Sequence, residues 1–126
     1  MGDLTKNFSK SEFDCNDGSE MPAKVLANVK KQAKNLQVIR DFLDKKITVN
    51  SGYRSPSYNK SIGGALKSQH LKGNASDIKV KGISPGDLSR VIEGLIRIKA
   101  IEDGGIGVYS TFVHYDRRSK RARWNG

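Results

Sequence analysis

Apolar residues at Leu26, Val29, Ala33, Leu36, Ile39 and Leu43 fall three and four positions apart, with polar residues between them. That spacing draws one stripe along a helix and predicts an amphipathic helix over 22–45. Pro22 suits its first turn, where the missing N–H costs nothing. A second stripe, Leu88, Val91, Ile92, Leu95 and Ile96, predicts a helix over 85–100. It opens on Ser84-Pro85-Gly86-Asp87, a serine cap with proline at the first position and an acid three residues after the cap. Between these stripes the pattern changes. Residues 47–51 are rich in β-branched side chains and read as a short strand, and 75–80 read as another. Residues 52–68 are rich in Ser, Gly, Asn and Pro and read as a loop, with one helical turn near 56–60. After Gly104-Gly105, the segments 106–109, 112–116 and 122–124 read as closing strands joined by short turns. The first twenty residues are polar, and Phe8 and Phe13 pin them as an arm onto the rest.

Helices and strands segregate along the chain, which predicts an α+β fold rather than a doubly wound sheet. The expected architecture is an antiparallel sheet with both helices on one face and a cleft on the other. The 126 residues suit one domain, 1–126, with the arm 1–20 packed on it. The opening MGDLTKNFSKSEF has no apolar core, so the sequence predicts no secretory signal and synthesis in the cytoplasm. No window approaches the roughly 18 apolar residues of a membrane span, so no membrane insertion is expected. The chain is expected to be a monomer.

Formal net charge is +10. An excess of that size favours an anionic partner: nucleic acid, an anionic cell-wall polymer or acidic lipid headgroups. The run Arg117-Arg118-Ser119-Lys120-Arg121-Ala122-Arg123 is the densest cationic segment. It reads either as a contact for such a partner or as a solvated hairpin turn. Nucleic acid is the disfavoured partner, because no helix-turn-helix, zinc-finger or aromatic RNA-binding motif is present. Cys15 is the single cysteine, which excludes an internal disulfide and any structural zinc site built on several cysteines.

Candidate chemistry gathers around the only two histidines. In Ser68-Gln69-His70-Leu71-Lys72-Gly73-Asn74-Ala75-Ser76-Asp77, Gly73 permits a tight turn between His70 and Asp77. An aspartate opening a buried strand needs a compensating partner, and a zinc ion would supply one. His114 sits in a late strand, with Asp116 two residues on and therefore on the same face. Two histidines and one carboxylate leave a fourth position for water, the arrangement of a catalytic rather than a structural zinc. Tyr53, Tyr58, Tyr109 and Tyr115 lie near this cleft in sequence, where they could flank a substrate or pack the core.

Ser-x-His-x-x-Gly-x-Ala-x-Asp followed by a later strand histidine resembles the signature of the zinc D-Ala-D-Ala carboxypeptidases. That family shares its fold with the sonic hedgehog N-terminal domain and the lysostaphin-type peptidases. All five fixed positions are present as Ser68, His70, Gly73, Ala75 and Asp77. Upstream, Ser51-Gly52-Tyr53-Arg54 resembles the family's Ser-Gly-x-Arg segment. Downstream, 105–109 and 112–116 resemble its terminal hairpin. The resemblance implies one zinc ion per chain held by His70, Asp77 and His114, with Arg54 on the substrate carbonyl or terminal carboxylate. A guanidinium fork suits that task. Ser68 is a candidate for hydrogen bonding to substrate or His70, and Tyr53 for flanking the substrate. The implied substrate is a peptidoglycan stem peptide, cut by a D,D-carboxypeptidase or an endopeptidase, as in phage or prophage lytic proteins. The chain departs from the family at Thr111, where several members carry a catalytic Glu three residues before the histidine. Asp116 is the expected replacement as proton-transfer group. The alternative is a non-catalytic, zinc-containing cell-wall-binding domain.

Overall fold

The computed structural model describes residues 2–126; Met1, the first residue of the expected arm, lies outside the described residues. Helix α1 spans Ala23–Leu43, β1 Thr48–Ser51, α2 Pro56–Ser61, β2 Ala75–Lys79, α3 Pro85–Arg97, β3 Gly105–Val108, β4 Val113–Asp116 and β5 Ala122–Asn125. Short 3-10 turns cover Lys10–Glu12 and Gln69–Lys72. Every element read from the pattern is present. Pro22 sits one place earlier than expected, as the extended cap before α1, where its carbonyl accepts from the Leu26 N–H. Helix α1 ends at Asp44 in a left-handed conformation, φ 51°, with no glycine to announce the stop. Helix α3 starts as its sequence dictates, with the Ser84 hydroxyl accepting from the Asp87 N–H.

The sheet order is β1-β2-β4-β3-β5. The pairs β1–β2, β2–β4 and β3–β4 are antiparallel, as expected. Strand β5 is the exception: it lies parallel to β3, with Ala122 beside Gly105 and Asn125 beside Val108. Both edges of β4 are occupied, so β5 can join only at an outer edge. The chain leaves β4 next to the start of β3, and a strand added from there must run in the direction of β3. The short turn expected between 116 and 122 is therefore a crossing, and the sheet is mixed.

Alternation along the strands sorts residues onto two faces. Ile78, Val113, Tyr115 and Ile106 point to the helices and are almost wholly buried. With Val29, Ala33, Leu36 and Ile39 of α1 and Leu88, Ile92 and Leu95 of α3 they form the core. The Gln32 amide reaches through this layer from α1 to the Tyr115 carbonyl at 3.1 Å and Ser76 Oγ at 3.3 Å. The arm adds Phe8 and Phe13, ring centroids 6.1 Å apart, to the same core. The opposite face carries Ala75, Asp77, His114, Asp116, Gly105, Gly107 and Trp124 in register. No helix among the described residues is long and apolar enough to cross a membrane.

Candidate metal centre

Asp77 of β2 and His114 of β4 are direct cross-strand partners. Their side chains therefore leave the sheet side by side, and His114 Nδ1 lies 3.0 Å from Asp77 Oδ1. His70 arrives from the Gln69–Lys72 turn, with Nε2 3.3 Å from the same oxygen. Ser68 caps that turn, its hydroxyl accepting from the His70 N–H at 3.2 Å. Gly73 ends it at φ 77°, and a Cβ there would come within 2.8 Å of Val25. Only glycine combines that backbone angle with so close an approach to α1. A bulge between Val49 and Ser51 in β1 sets Ser51 opposite Asp77 and leads the chain into Gly52, whose carbonyl meets His70.

One donor atom from each of His70, Asp77 and His114 lies within 4.8 Å of the other two. The remote ring nitrogens are both engaged: His70 Nδ1 with the Gly52 carbonyl at 2.7 Å, and His114 Nε2 with Asp116 Oδ2 at 2.7 Å. Those acceptors take the ring N–H of a neutral imidazole. The opposite nitrogen of each ring then turns its lone pair toward the Asp77 carboxylate. In that state two lone pairs and an anion converge in a buried pocket, where a proton or a metal ion offsets them, and the donor set of two nitrogens and one oxygen suits zinc. With protons rather than a metal on those nitrogens, burial would raise the Asp77 carboxyl, but hydrogen bonds from His114 and His70 hold it well below the usual carboxylate range. Burial would lower His114, yet its bonds to Asp116 and Asp77 leave it raised.

The three residues form the floor of a cavity of about 390 Å³, whose walls include Arg54, Ser68, Gln69, Tyr109, Phe112, Arg118 and Trp124. Arg54 stands where the sequence predicts, with Nη2 3.4 Å from Asp77 Oδ2 and Nη1 3.3 Å from Asn59 Oδ1. Ser68 is on the wall, although its hydroxyl is already committed to shaping the turn. Tyr53 is not on the wall. It is 5% exposed within the core, its backbone tied to Phe13, so the expectation that it flanks a substrate fails. Position 53 follows the bulge and Gly52, and this turns its ring inward. Of the other tyrosines, Tyr109 lines the cleft, while Tyr115 lies in the core with its hydroxyl donating to the Glu102 carbonyl.

Asp116 also departs from its expected role. It shares the strand face of His114, but it is 0% exposed and stands behind that ring, away from the cleft. Its oxygens accept from the Gly105 and Arg118 N–H groups and from the Arg118 guanidinium, at 2.7–3.0 Å. Burial would raise this carboxyl, and the bonds from His114 and Arg118 outweigh it and hold it well below the usual range. A carboxylate so fully occupied orients a histidine and does not exchange protons with solvent in the cleft. Thr111, at the family's Glu position, is exposed beside a separate apolar cavity and does not line the metal cleft.

Several wall residues were not legible as site residues. Trp124 lies in a segment read only as a closing strand. Its ring instead lies 5.2 Å from that of His114, its Nε1 donates to the Tyr109 hydroxyl at 2.9 Å, and Arg118 covers it at 4.9 Å. It fits there because Gly107, its partner in register, has no Cβ; one would lie 2.4 Å from the indole. Phe112 stacks on Tyr109 at 4.5 Å. Because Trp124 reaches the cleft only through the parallel placement of β5, no local signal marks it.

The basic run 117–123 is tied down at its ends and exposed at Ser119, Lys120 and Arg121. Arg117 binds Gln32, the Asn28 carbonyl and Asn74, and Arg118 clamps Asp116. Arg121 meets Asp103, and Arg123 meets Glu93 and Asp103. These arginines lash the crossing and β5 to the rest of the domain.

Comparison with known proteins agrees with this geometry. The chain is 33% identical over 103 residues to a protein of Haemophilus influenzae named as the probable peptidoglycan L,D-endopeptidase MepK, covering 73% of this chain and 50% of that one. It is 39% identical over 79 residues to the peptidoglycan L,D-endopeptidase MepK of Escherichia coli, covering 57% and 40%. Over 78 residues it is 38% identical to the zinc D-Ala-D-Ala carboxypeptidase of Streptomyces albus G, covering 57% and 31%. The chain thus spans half or less of the length of these relatives. The family model described as Peptidase M15 matches residues 6–116, which take in all three metal-ligand candidates and most of the sheet, and the chain belongs to that family.

Proposed function

We propose that this chain is a zinc peptidase that hydrolyses peptide bonds in bacterial peptidoglycan. The observation that carries the reading is the convergence of His70, Asp77 and His114 at the cleft floor, each histidine oriented from behind by an oxygen acceptor. These residues hold the metal, which when bound supplies Lewis-acid polarisation of the scissile carbonyl and a nucleophile at neutral pH. Everything else falls to the chain's own groups. Asp116, held by Arg118, fixes the ring angle of His114. Arg54 steadies the second oxygen of Asp77 and presents positive charge to a substrate carboxylate or to the oxygen that gains charge during attack. The Tyr109 hydroxyl accepts from Trp124, so its own proton is free to point at the same oxygen. Trp124, Tyr109 and Phe112 form an aromatic wall that fits the flat faces of a peptide and excludes water. The names of the relatives support peptidoglycan as the polymer and both a carboxypeptidase and an endopeptidase as models for the bond cut.

A second reading, a metal-containing wall-binding domain without turnover, is favoured by one observation: among the described residues Asp77 is the only carboxylate lining the cleft. One experiment separates the two. Zinc-loaded protein is incubated with purified peptidoglycan, and new amines and free D-alanine are measured. Release of either, lost in His70→Ala together with about one zinc per chain, supports the peptidase. Binding to the wall with no new amine would establish the second reading. Free D-alanine identifies a carboxypeptidase, and amines without it an endopeptidase.

A further inference from the structure

The positive charge of this chain is sorted by residue type. Among the described residues every arginine except Arg97 takes part in an ion pair, whereas Lys10 is the one lysine that does. The excess charge therefore resides on lysines, and it is not spread evenly. From residue 21 to 40 the chain has no Asp or Glu, yet it carries Lys24, Lys30, Lys31 and Lys34. All four are exposed and unpaired among the described residues. At 100° per residue they fall within one third of the helix circumference, opposite the buried stripe Val29, Ala33, Leu36 and Ile39. They form a ridge roughly 15 Å long on the solvent side of α1.

This arrangement works against the helix that bears it. Lys24 stands in the first turn, where the helix dipole disfavours a cation, and that turn contains no acid. Lys30 and Lys34, and Lys31 and Lys34, are like charges at neighbouring positions on the surface. Among the described residues no ion pair offsets these costs. The ridge also touches the turn that carries His70, from the side away from the cleft. Asn28, between Lys24 and Lys31 on the helix surface, donates from its side chain to the Lys72 carbonyl at 2.9 Å, and Lys72 closes the turn that carries His70.

We propose that the outer face of α1, together with Lys72, docks a polyol-phosphate polymer of the bacterial wall and so holds the domain at the wall. The inference rests on the wall-hydrolase reading. Lysines are point charges that hold phosphate oxygens without demanding a fixed orientation, as a flexible polymer requires; arginine would be expected where planar carboxylates are gripped in pairs. No aromatic side chain lies between Lys24 and Lys34, so the ridge lacks the stacking platform that single-stranded nucleic acid uses.

The test uses the full chain and purified poly(glycerol phosphate). Binding is measured for the wild type, for K24Q/K30Q/K31Q/K34Q, and for K45Q/K60Q/K99Q/K120Q, which removes equal charge elsewhere. The ridge variant should lose at least about tenfold in affinity and show a shallower salt dependence, with little change in the control variant. Equal losses in the two variants would reduce the effect to net charge and overturn the proposal. On the wild type, the polymer should protect Lys24, Lys30, Lys31, Lys34 and Lys72 from acetylation, but not Lys45 or Lys99. This footprint decides the matter even if the quadruple variant misfolds, and absence of protection overturns the proposal. Short DNA binding the ridge more tightly than poly(glycerol phosphate) would make nucleic acid the occupant and overturn it too. Because these readouts need no turnover, a protein that binds the polymer but cuts nothing refutes the peptidase alone, while one that cuts peptidoglycan but ignores the polymer refutes the docking surface alone.

Discussion

Strands β2 and β4 build two different environments from alternate residues. Ile78, Val113 and Tyr115 face the helices in a close-packed apolar layer, while Asp77, His114 and Asp116 face away into a network in which almost every polar atom has a partner. One residue of register separates the two, so a slip of one position would bury Asp77, His114 and Asp116 in the core and expose the core to the cleft. The apolar face therefore does more than stabilise the fold. It fixes the register that aligns Asp77 with His114, and the polar face takes its geometry from that alignment. The two faces should respond differently to substitution.

Ile78→Ala tests the apolar face. It should cost about 2–5 kcal/mol in urea unfolding, because a fully buried side chain leaves a cavity, and the folded fraction should still bind zinc stoichiometrically. Asp77→Asn, the adjacent residue, should do the reverse: unfolding stays cooperative and zinc binding is lost. Zinc at about 100 times its dissociation constant should stabilise the wild type by about 2.7 kcal/mol, a gain that a chelator removes and that Asp77→Asn never shows. An Ile78→Ala protein that folds normally but binds no zinc would break the division between the faces.

Gly107→Ala should cost about 1–3 kcal/mol, since the added methyl drives into the indole of Trp124. If the aromatic wall acts on substrate, this variant raises KM more than it lowers kcat. Asp116→Asn should weaken zinc affinity by about 10–100-fold in competition with a chromophoric chelator, and Arg118→Gln should shift it in the same direction. Unchanged affinity with turnover abolished would return Asp116 to proton transfer and contradict its place behind His114.

The smallest effect belongs to the ion pairs that lash down β5. Hydrogen bonding from Arg123 holds the Glu93 carboxyl below its ordinary value. At Asp103 burial pushes upward, but bonds from Arg123, the Gly104 N–H and Arg121 win. A carboxyl held low in the folded state contributes stability at neutral pH and loses it as pH falls through and below the usual carboxylate range. Asp103→Asn should therefore cost less than about 1 kcal/mol at neutral pH, because the pair is partly exposed, and should flatten the acid limb of the stability curve.

The elements were legible because local patterns set them: the three-four spacing of Val29, Ala33, Leu36 and Ile39, the Ser84 cap, and the β-branched run before Ser51. That His70, Asp77 and His114 come together was legible because the chain holds only two histidines and one of them precedes a glycine turn and a strand aspartate. Asp116 was misread because the alternation that puts it on the face of His114 does not say how far it is buried or that Arg118 saturates it. Tyr53 was misread because a single bulge decides which way its ring turns. The parallel path of β5 depends on which sheet edges are already taken, a property of the assembled sheet.

By itself, then, the sequence determined the periodicities, the caps and the set of residues able to hold a metal, since each follows from interactions a few positions apart. Only the tertiary structure decided which carboxylate meets the cleft and which stands behind His114, that Trp124 walls the cleft, and that most arginines are paired while most lysines are not. Those outcomes depend on contacts between segments up to eighty-nine residues apart, such as Arg117 with the Asn28 carbonyl, and these form only once the sheet and helices have packed.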